Sequence, residues 1–536
     1  MSRLKRGTTL LLTIIVGVIL VGYLLWSLNT SHRQAKLSDK TFIVARGTDA
    51  IGLDPANVTD GESLYVTDQI FDSLLQYAPD STEVQPALAT NWDNSKDGLT
   101  WTFTLRPKVA FHDGTPFNAE AVKYNFDRWR LPKHPQHQGE FEFYRSMFGG
   151  FPGIIKDVQV VDDYTVRFIL AKPQATFISN LAMSAFGLSS PTAIKKYGSA
   201  YAKHPVGTGP FVLTEWEKNQ YIKVKRNPQY WGNISILKDV TFKVIKDNNL
   251  KVKMLQAGEI DAALDINPDD FRTVQQNRNL QVLFRPSMNV AYLAINNDKF
   301  PFDNPKVRQA ISHAINKAGL IRNFYGSLAK VAKNPMPPSL WGYNDDIQDY
   351  PYDPAKAKAL LAEAGLPEGF STKLWTMPIA RPYMPQPMPI ALAIQQDLAR
   401  IGIKAEVETF PWQEYIQKGE AGTHELYLSG WTGDNGDPDN FLFVLLDKSN
   451  TARGSASNLA FYKNDRVHDL LLTAREESDQ KVRADLYYEA QALINQDAPL
   501  VPLVHTTPPV ATKKQIRGWV LHPTGSEKFN SIEIVD

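Results

Sequence analysis

Two mixed α/β domains with a ligand cleft between them are the architecture this sequence predicts. Three observations carry the expectation. At 536 residues the chain exceeds what one hydrophobic core ordinarily holds, so two or three domains are expected. From Thr41 onward, strand-like and helix-like patterns are mixed without an internal repeat or low-complexity tract. The stretch "PIALAIQQDLARIG" runs directly into "IKAEVETF", where Ile403, Ala405 and Val407 face one way and Lys404, Glu406 and Glu408 the other. A helix feeding a strand in this way is the unit of an α/β domain.

The elements follow in order. "MSRLKRGTTLLLTIIVGVILVGYLLWSLNTSHRQAK" opens with Arg3, Lys5 and Arg6 and continues through an uncharged apolar run of 17 residues, Leu10 to Trp26. A helix of that length spans about 26 Å, close to the hydrocarbon core of a bilayer. Residues 1–40 therefore read as an export signal or an uncleaved signal anchor, with the basic end in the cytoplasm and the body outside it. The anchor is the favoured reading because no small-x-small cleavage site is evident. "TFIVARG" and "LTWTFTLRPKVAF" alternate as strands. "NAEAVKYNFDRW" is a helix capped by Asn118. "VQVVDDYTVRFIL" is a hairpin turning at Asp162 and Asp163, and "FVLTEWEKNQYIKVKRN" is another turning at Lys218, Asn219 and Gln220. "NPKVRQAISHAINKAGLIRNFYG" reads as one long helix opened by Asn304 and Pro305. In "DPAKAKALLAEAG", Asp353 is the N-cap, Pro354 the first helical residue and Gly365 the stop.

Composition removes several function classes. Lys and Arg total 58 against 57 Asp and Glu, so no global field attracts nucleic acid, and none is expected as a partner. The absence of cysteine excludes disulfides, thiolate nucleophiles and Cys-ligated metals. No P-loop and no nucleophile elbow is present. "VGTGPF" at 206–211 is a tight turn rather than a dinucleotide loop, and "HELYL" at His424 lacks the second histidine of a zinc protease. His112 beside Asp113 reads as a satisfied histidine at a strand-end turn. No cofactor is implied.

One stretch stands apart. "GWTGDNGDPDN", residues 430–440, sets three carboxylates and two glycines behind a tryptophan. Metal binding, acid/base chemistry, a polar turn and reception of a cation are its possible roles. An EF-hand register from Asp434 fails, since its third position is Gly436 and its twelfth Leu445. Turns are made of these same residue types. Trp431, just before them, favours an ammonium seat, where charge pairing and cation–π attraction combine.

With these stretches in view the chain, from Thr41 to its C-terminus, resembles the peptide-binding branch of the solute-binding proteins that serve ABC importers. It is most similar within that branch to the dipeptide-binding group. "TFTLRPKVAFHDGTPFNAEAVKYNFDR", "PVGTGPFVL", "NPQYWG", "NNDKFPFDNPKVRQAISHAINK", "MPPSLWGYNDDIQDYPYDPAKAKALLAEAGLPEGF", "LWTMPIARPYMPQ" and "GWTGDNGDPDN" carry the resemblance.

The resemblance implies an α/β, two-lobed, periplasmic-binding-protein-like fold of class II (cluster C) with an extra subdomain, in addition to the N-terminal membrane helix. Lobe I would comprise 41–288 and, on the chain's return, 505–536, with 92–205 as an extra subdomain packed away from the cleft. Lobe II would comprise 289–504. It also implies that Asp434 receives a peptide's α-ammonium and Arg381 its α-carboxylate, with Trp431, Tyr383 and Trp412 as pocket-lining candidates for which core packing is the alternative. Asp437 and Asp439 are expected to shape the loop. The implied protein is a monomeric, non-enzymatic receptor in the periplasm or on the outer face of the cytoplasmic membrane, anchored by residues 10–26. Its partners would be small peptides and ABC permease subunits. Relatives of this fold that bind glutathione, haem or nickel chelates are the alternative, and a peptide hydrolase is the alternative from another class.

Overall fold

Three sheets organise the residues described by the computed structural model, 37–536. The apolar run at residues 10–26 lies outside them, and among the described residues no helix is long and apolar enough to cross a membrane. The first sheet has seven strands in the order Leu280–Phe284, Pro509–Lys513, Ala262–Ala263, Thr41–Arg46, Asp239–Val244, Tyr221–Arg226 and Phe211–Glu217. Thr41–Arg46 lies within it, parallel to both neighbours, and Phe42, Val44 and Ala45 are fully buried. An apolar run such as "FIVA" suits a strand covered on both faces.

The second sheet has six strands, ordered Ala329–Val331, Leu500–Thr506, Asn289–Ile295, Leu426–Thr432, Ser371–Trp375 and Lys404–Glu408. The chain leaves the first sheet after Phe284 to enter the second at Asn289, and returns between Thr506 and Pro509. Asn289 ties the two crossings together. Its Nδ2 donates to the Thr506 carbonyl at 2.9 Å and its Oδ1 accepts from the Thr506 amide at 2.9 Å. His505 Nδ1 meets the Asn289 carbonyl at 2.7 Å. Burial brings the His505 pKa down to about 4, so at neutral pH the ring is uncharged and donates from Nδ1.

A third, four-stranded antiparallel sheet, Ala89–Asn94, Thr100–Leu105, Thr165–Leu170 and Ile155–Asp162, packs under helix Ala119–Arg130. Phe103, Phe126, Trp129 and Phe168 fill the layer between them. Asn118 caps this helix, accepting from the Ala121 amide at 3.0 Å.

Both expected hairpins form. Asp162 pairs with Thr165 across the first turn, and Asn219 takes a left-handed φ of 60° in the second, which asparagine tolerates better than most residues. Helix Pro354–Glu363 carries its Asp353 cap, which accepts from Lys356 N at 2.9 Å. Two expectations change. The strand read over "LTWTFTLRPKVAF" stops at Leu105, because Pro107 has no N–H to offer a ladder and Lys108 turns the chain at φ 61°. The long helix opened by Asn304 ends at Ala314, where Ile315 is extended. Asn316 then caps a new turn, accepting from the Gly319 amide at 2.9 Å while its own N–H goes to Asp397 Oδ2 at 2.9 Å. The apolar spacing runs straight through this break, so periodicity alone joins the two pieces.

Candidate ligand cleft

The parallel part of the six-stranded sheet explains how distant charges meet. Ser371–Trp375 lies between Lys404–Glu408 and Leu426–Thr432 and runs parallel to both. Their carboxyl ends therefore share one edge of the sheet, the usual place for a binding crevice in parallel α/β architecture. Three segments leave that edge. The one after Trp375 carries Arg381 and Tyr383, the one after Glu408 leads to Trp412, and the one after Thr432 carries Asp434. With Trp431 next to the end of strand Leu426–Thr432, all five predicted site residues lie at one end of one sheet, although 53 positions separate Arg381 from Asp434 (434 − 381).

Each is held in a definite way. Arg381 and Met384 exchange backbone hydrogen bonds of 3.0 and 2.8 Å in a tight turn. Thr506 Oγ1, from the crossing strand, donates to Pro382 O at 3.0 Å, and Tyr325 OH donates to Tyr383 O at 3.2 Å. The Tyr383 ring lies against Gly430, where any side chain would strike it. The Arg381 guanidinium sits 4.0 Å from the Trp412 ring centroid, and its Nε is buried without a hydrogen-bond partner. Trp412 in turn stacks on Tyr415 and Tyr415 on Tyr427, at 6.0 and 4.3 Å between centroids. Trp412 is therefore the platform beneath the arginine, itself backed by core aromatics.

Asp434 has a different surrounding. Its backbone N–H donates to Asn440 Oδ1 at 2.9 Å, and Asn440 Nδ2 donates to its Oδ2 at 3.1 Å. No cation pairs with it among the described residues, and burial pushes its pKa up to about 7 against the partial relief given by Asn440. The other two carboxylates of the stretch are neutralised from behind. Asp437 receives both Arg483 Nη atoms at 2.8 Å, and Asp439 Oδ1 lies 3.2 Å from Arg475 Nε. Asp437 also accepts from the Asp439 amide at 3.0 Å, shaping the loop. Of the three, Asp434 alone keeps a carboxylate without a counter-charge.

The opposite wall comes from residues that the sequence did not single out. Thr82 sits so close to Gly436 that no Cβ would fit there, and Asn435 Nδ2 donates to Asn180 Oδ1 at 2.9 Å. Burial raises the Tyr77 phenol's pKa, with nearby Asp434 adding to it, and the ring stacks on His522 at 5.6 Å. Asn180 belongs to the segment expected to pack away from the cleft. That segment makes two further contacts with the 475–476 region: the Ala175 amide donates to Arg475 O at 2.8 Å and Lys172 pairs with Glu476 at 2.8 Å. Tyr77 and Thr82 lie in an ordinary turn sequence, so nothing in their spacing marks them. Asn440 stood inside the quoted stretch and is legible as a polar partner for Asp434.

The enzyme-like features dissolve on inspection. His112 Nε2 pairs with Gly209 O at 3.0 Å, while Asp113 accepts from Ser190 Oγ at 2.6 Å and from the Thr115 amide at 3.0 Å. His424 is buried with Nε2 on Leu459 O at 2.8 Å. Among the described residues no group of three or more His, Asp or Glu side chains could hold a metal ion.

A family profile described as "Bacterial extracellular solute-binding proteins, family 5 Middle" matches residues 83–453. The chain belongs to this family. It is 37% identical over 519 residues to the dipeptide-binding protein of Escherichia coli (strain K12), covering 93% of this chain and 96% of that one. Heme-binding protein A of Haemophilus influenzae is likewise 37% identical, over 94% of each chain. Among solved structures, the periplasmic binding protein DppA of Helicobacter pylori, in complex with the peptide STSA, superposes with a TM-score of 0.85. It shares 36% identity over 93% of this chain and 98% of its own. The protein described here is thus an extracellular or periplasmic solute-binding protein with a mixed α/β periplasmic-binding-protein fold.

Proposed function

We propose that this protein is an extracytoplasmic receptor that captures dipeptides or short oligopeptides by their charged termini and delivers them to an ABC importer. One observation carries the reading. Asp434 and Arg381, of opposite charge, issue from the same sheet edge, and neither has an ionic partner among the described residues. An extended dipeptide zwitterion separates its charges by about 5 to 7 Å. In this reading the α-ammonium meets Asp434 and the α-carboxylate meets Arg381. Each is a charge-assisted hydrogen bond worth about 1.5 to 3 kcal/mol. Side chains are then free to vary, because affinity comes from what every peptide shares. Trp431, Tyr383 and Trp412 would flank the ligand or orient the charges that hold it.

In this proposal lobe I comprises 41–288 and 505–536 with the subdomain 92–205, and lobe II comprises 289–504. The crossings at 285–288 and 507–508 are its hinge, and ligand stabilises the closed arrangement. The body is a monomer without enzymatic activity, tethered to the cytoplasmic membrane by residues 10–26. The similarity to a haem-binding relative favours a second reading, in which Arg381 holds a ligand carboxylate such as a haem propionate and Asp434 contributes nothing.

Equilibrium titration with Ala-Ala separates the two. Asp434→Asn is expected to weaken binding at least about tenfold with the fold intact, and Arg381→Met similarly. Unchanged peptide affinity in Asp434→Asn, or hydrolysis of the peptide by the purified protein, contradicts the proposal.

A further inference from the structure

We propose that Asn440 is the positioning residue of the ammonium site, its single carboxamide setting the Asp434 carboxylate and the Trp431 indole in register with each other. The inference rests on the role proposed above for Asp434. Asn440 is 1% exposed and is the second residue of helix Asp439–Leu446. Its Oδ1 accepts two hydrogen bonds, from Trp431 Nε1 at 2.9 Å and from the Asp434 backbone N–H at 2.9 Å. Its Nδ2 donates to Asp434 Oδ2 at 3.1 Å. An indole N–H and a backbone N–H can only donate, and an ionised carboxylate can only accept. The amide therefore has one orientation that satisfies all three partners, and the reverse orientation satisfies none.

Two consequences follow for the ligand. With Oδ2 engaged by Asn440, the carboxylate is fixed in rotation and Oδ1 is left for the ammonium. The aromatic face of Trp431 is fixed relative to that oxygen by the same amide, so the charge and the ring act as one seat. Asn440 is itself fixed, since its N–H donates to Asp437 O at 3.1 Å and Asp437 is clamped by Arg483.

The charged groups around the seat leave this work to Asn440. Tyr77 faces Asp434 from the opposite wall and brings no positive charge. Asp437 and Asp439, on the same loop, are engaged by Arg483 and Arg475 from the helices behind. The amide donation is the one influence that offsets burial at Asp434. Replacing Asn440 by aspartate keeps the shape and both acceptor contacts but turns the Nδ2 donor into an acceptor. The two facing carboxyls would then share one proton: the pair keeps a single negative charge, but residue 440, which accepts the two N–H groups, holds it, and Asp434 carries the proton.

The test measures Asp434 directly, in ligand-free protein, by ¹³C-carboxyl NMR titration of the wild type and of Asn440→Asp, with Ala-Ala titrations alongside. The expected result is a rise of the Asp434 midpoint by about one pH unit or more. Ala-Ala binding at pH 7 should weaken about ten- to a hundredfold. An Asp434 midpoint that does not move overturns the inference. Should Asn440→Asp fail to fold, the wild type decides. Its Trp431 indole N–H resonance should follow the Asp434 midpoint, since both hang on one amide, and an indole resonance indifferent to that titration overturns the proposal equally. A midpoint that moves while wild-type protein ignores Ala-Ala upholds the positioning role and removes the proposed ligand.

Discussion

Asp434 is a carboxylate whose environment asks for a cation. Burial pushes its pKa from 3.8 up to about 7. A raised carboxyl leaves stability untouched below its ordinary value, and stability falls as pH rises from about 4 to about 7, where the folded state must release the proton it prefers to keep. An ammonium reverses the preference by stabilising the ionised form. Below about 7 the cleft has to shed a proton to take its ligand, so Ala-Ala affinity should fall as pH drops from 8 to 5, by up to about tenfold per unit. Calorimetry in buffers of different ionisation enthalpy would show matching proton release at pH 6. An affinity flat from pH 5 to 8 would mean that Asp434 takes no part. At this scale the sequence was informative in a specific way. The stretch 430–440 displayed three carboxylates, but only packing distinguishes those neutralised by Arg483 and Arg475 from the one left without a partner, because both arginines lie more than 30 positions downstream.

The elements place these residues because three strands run parallel. Strand direction fixes which ends share an edge, and the helix-to-strand step from "PIALAIQQDLARIG" into "IKAEVETF" made that arrangement legible in the six-stranded sheet. Caps were legible for the same local reason: Asn118 and Asp353 each accept from the amide three residues on. Asp353→Ala should therefore lower stability by about 1 kcal/mol without altering ligand affinity, since helix Pro354–Glu363 carries none of the five predicted site residues. Chemical denaturation of the variant checks this, and a loss near zero would show the cap to be idle. The break at Ile315 was not legible, because the Asn316 backbone N–H that leaves the helix is taken up by Asp397, 81 positions away in sequence. The opposite wall, Tyr77, Thr82 and Asn180, was hidden likewise, since its role exists only where the segments meet.

Across the whole molecule, paired crossings join the seven-stranded and six-stranded sheets, and the segment at 172–180 adds contacts from Lys172, Ala175 and Asn180 to residues 476, 475 and 435. The crossings have a definite geometry, with Asn289 bonded to both the amide and the carbonyl of Thr506. In the receptor proposed above, closure about these crossings would exclude water from the two charges and raise the worth of each contact. The central claim is that the cleft reads both ends of a short peptide, and it can be examined without altering the protein. The measurement is calorimetric titration of residues 41–536 with Ala-Ala, with its N-acetylated form and with its C-terminal amide. The account predicts tight binding of the free dipeptide and loss of at least about tenfold on blocking either end. Binding that is indifferent to both blocks would contradict it.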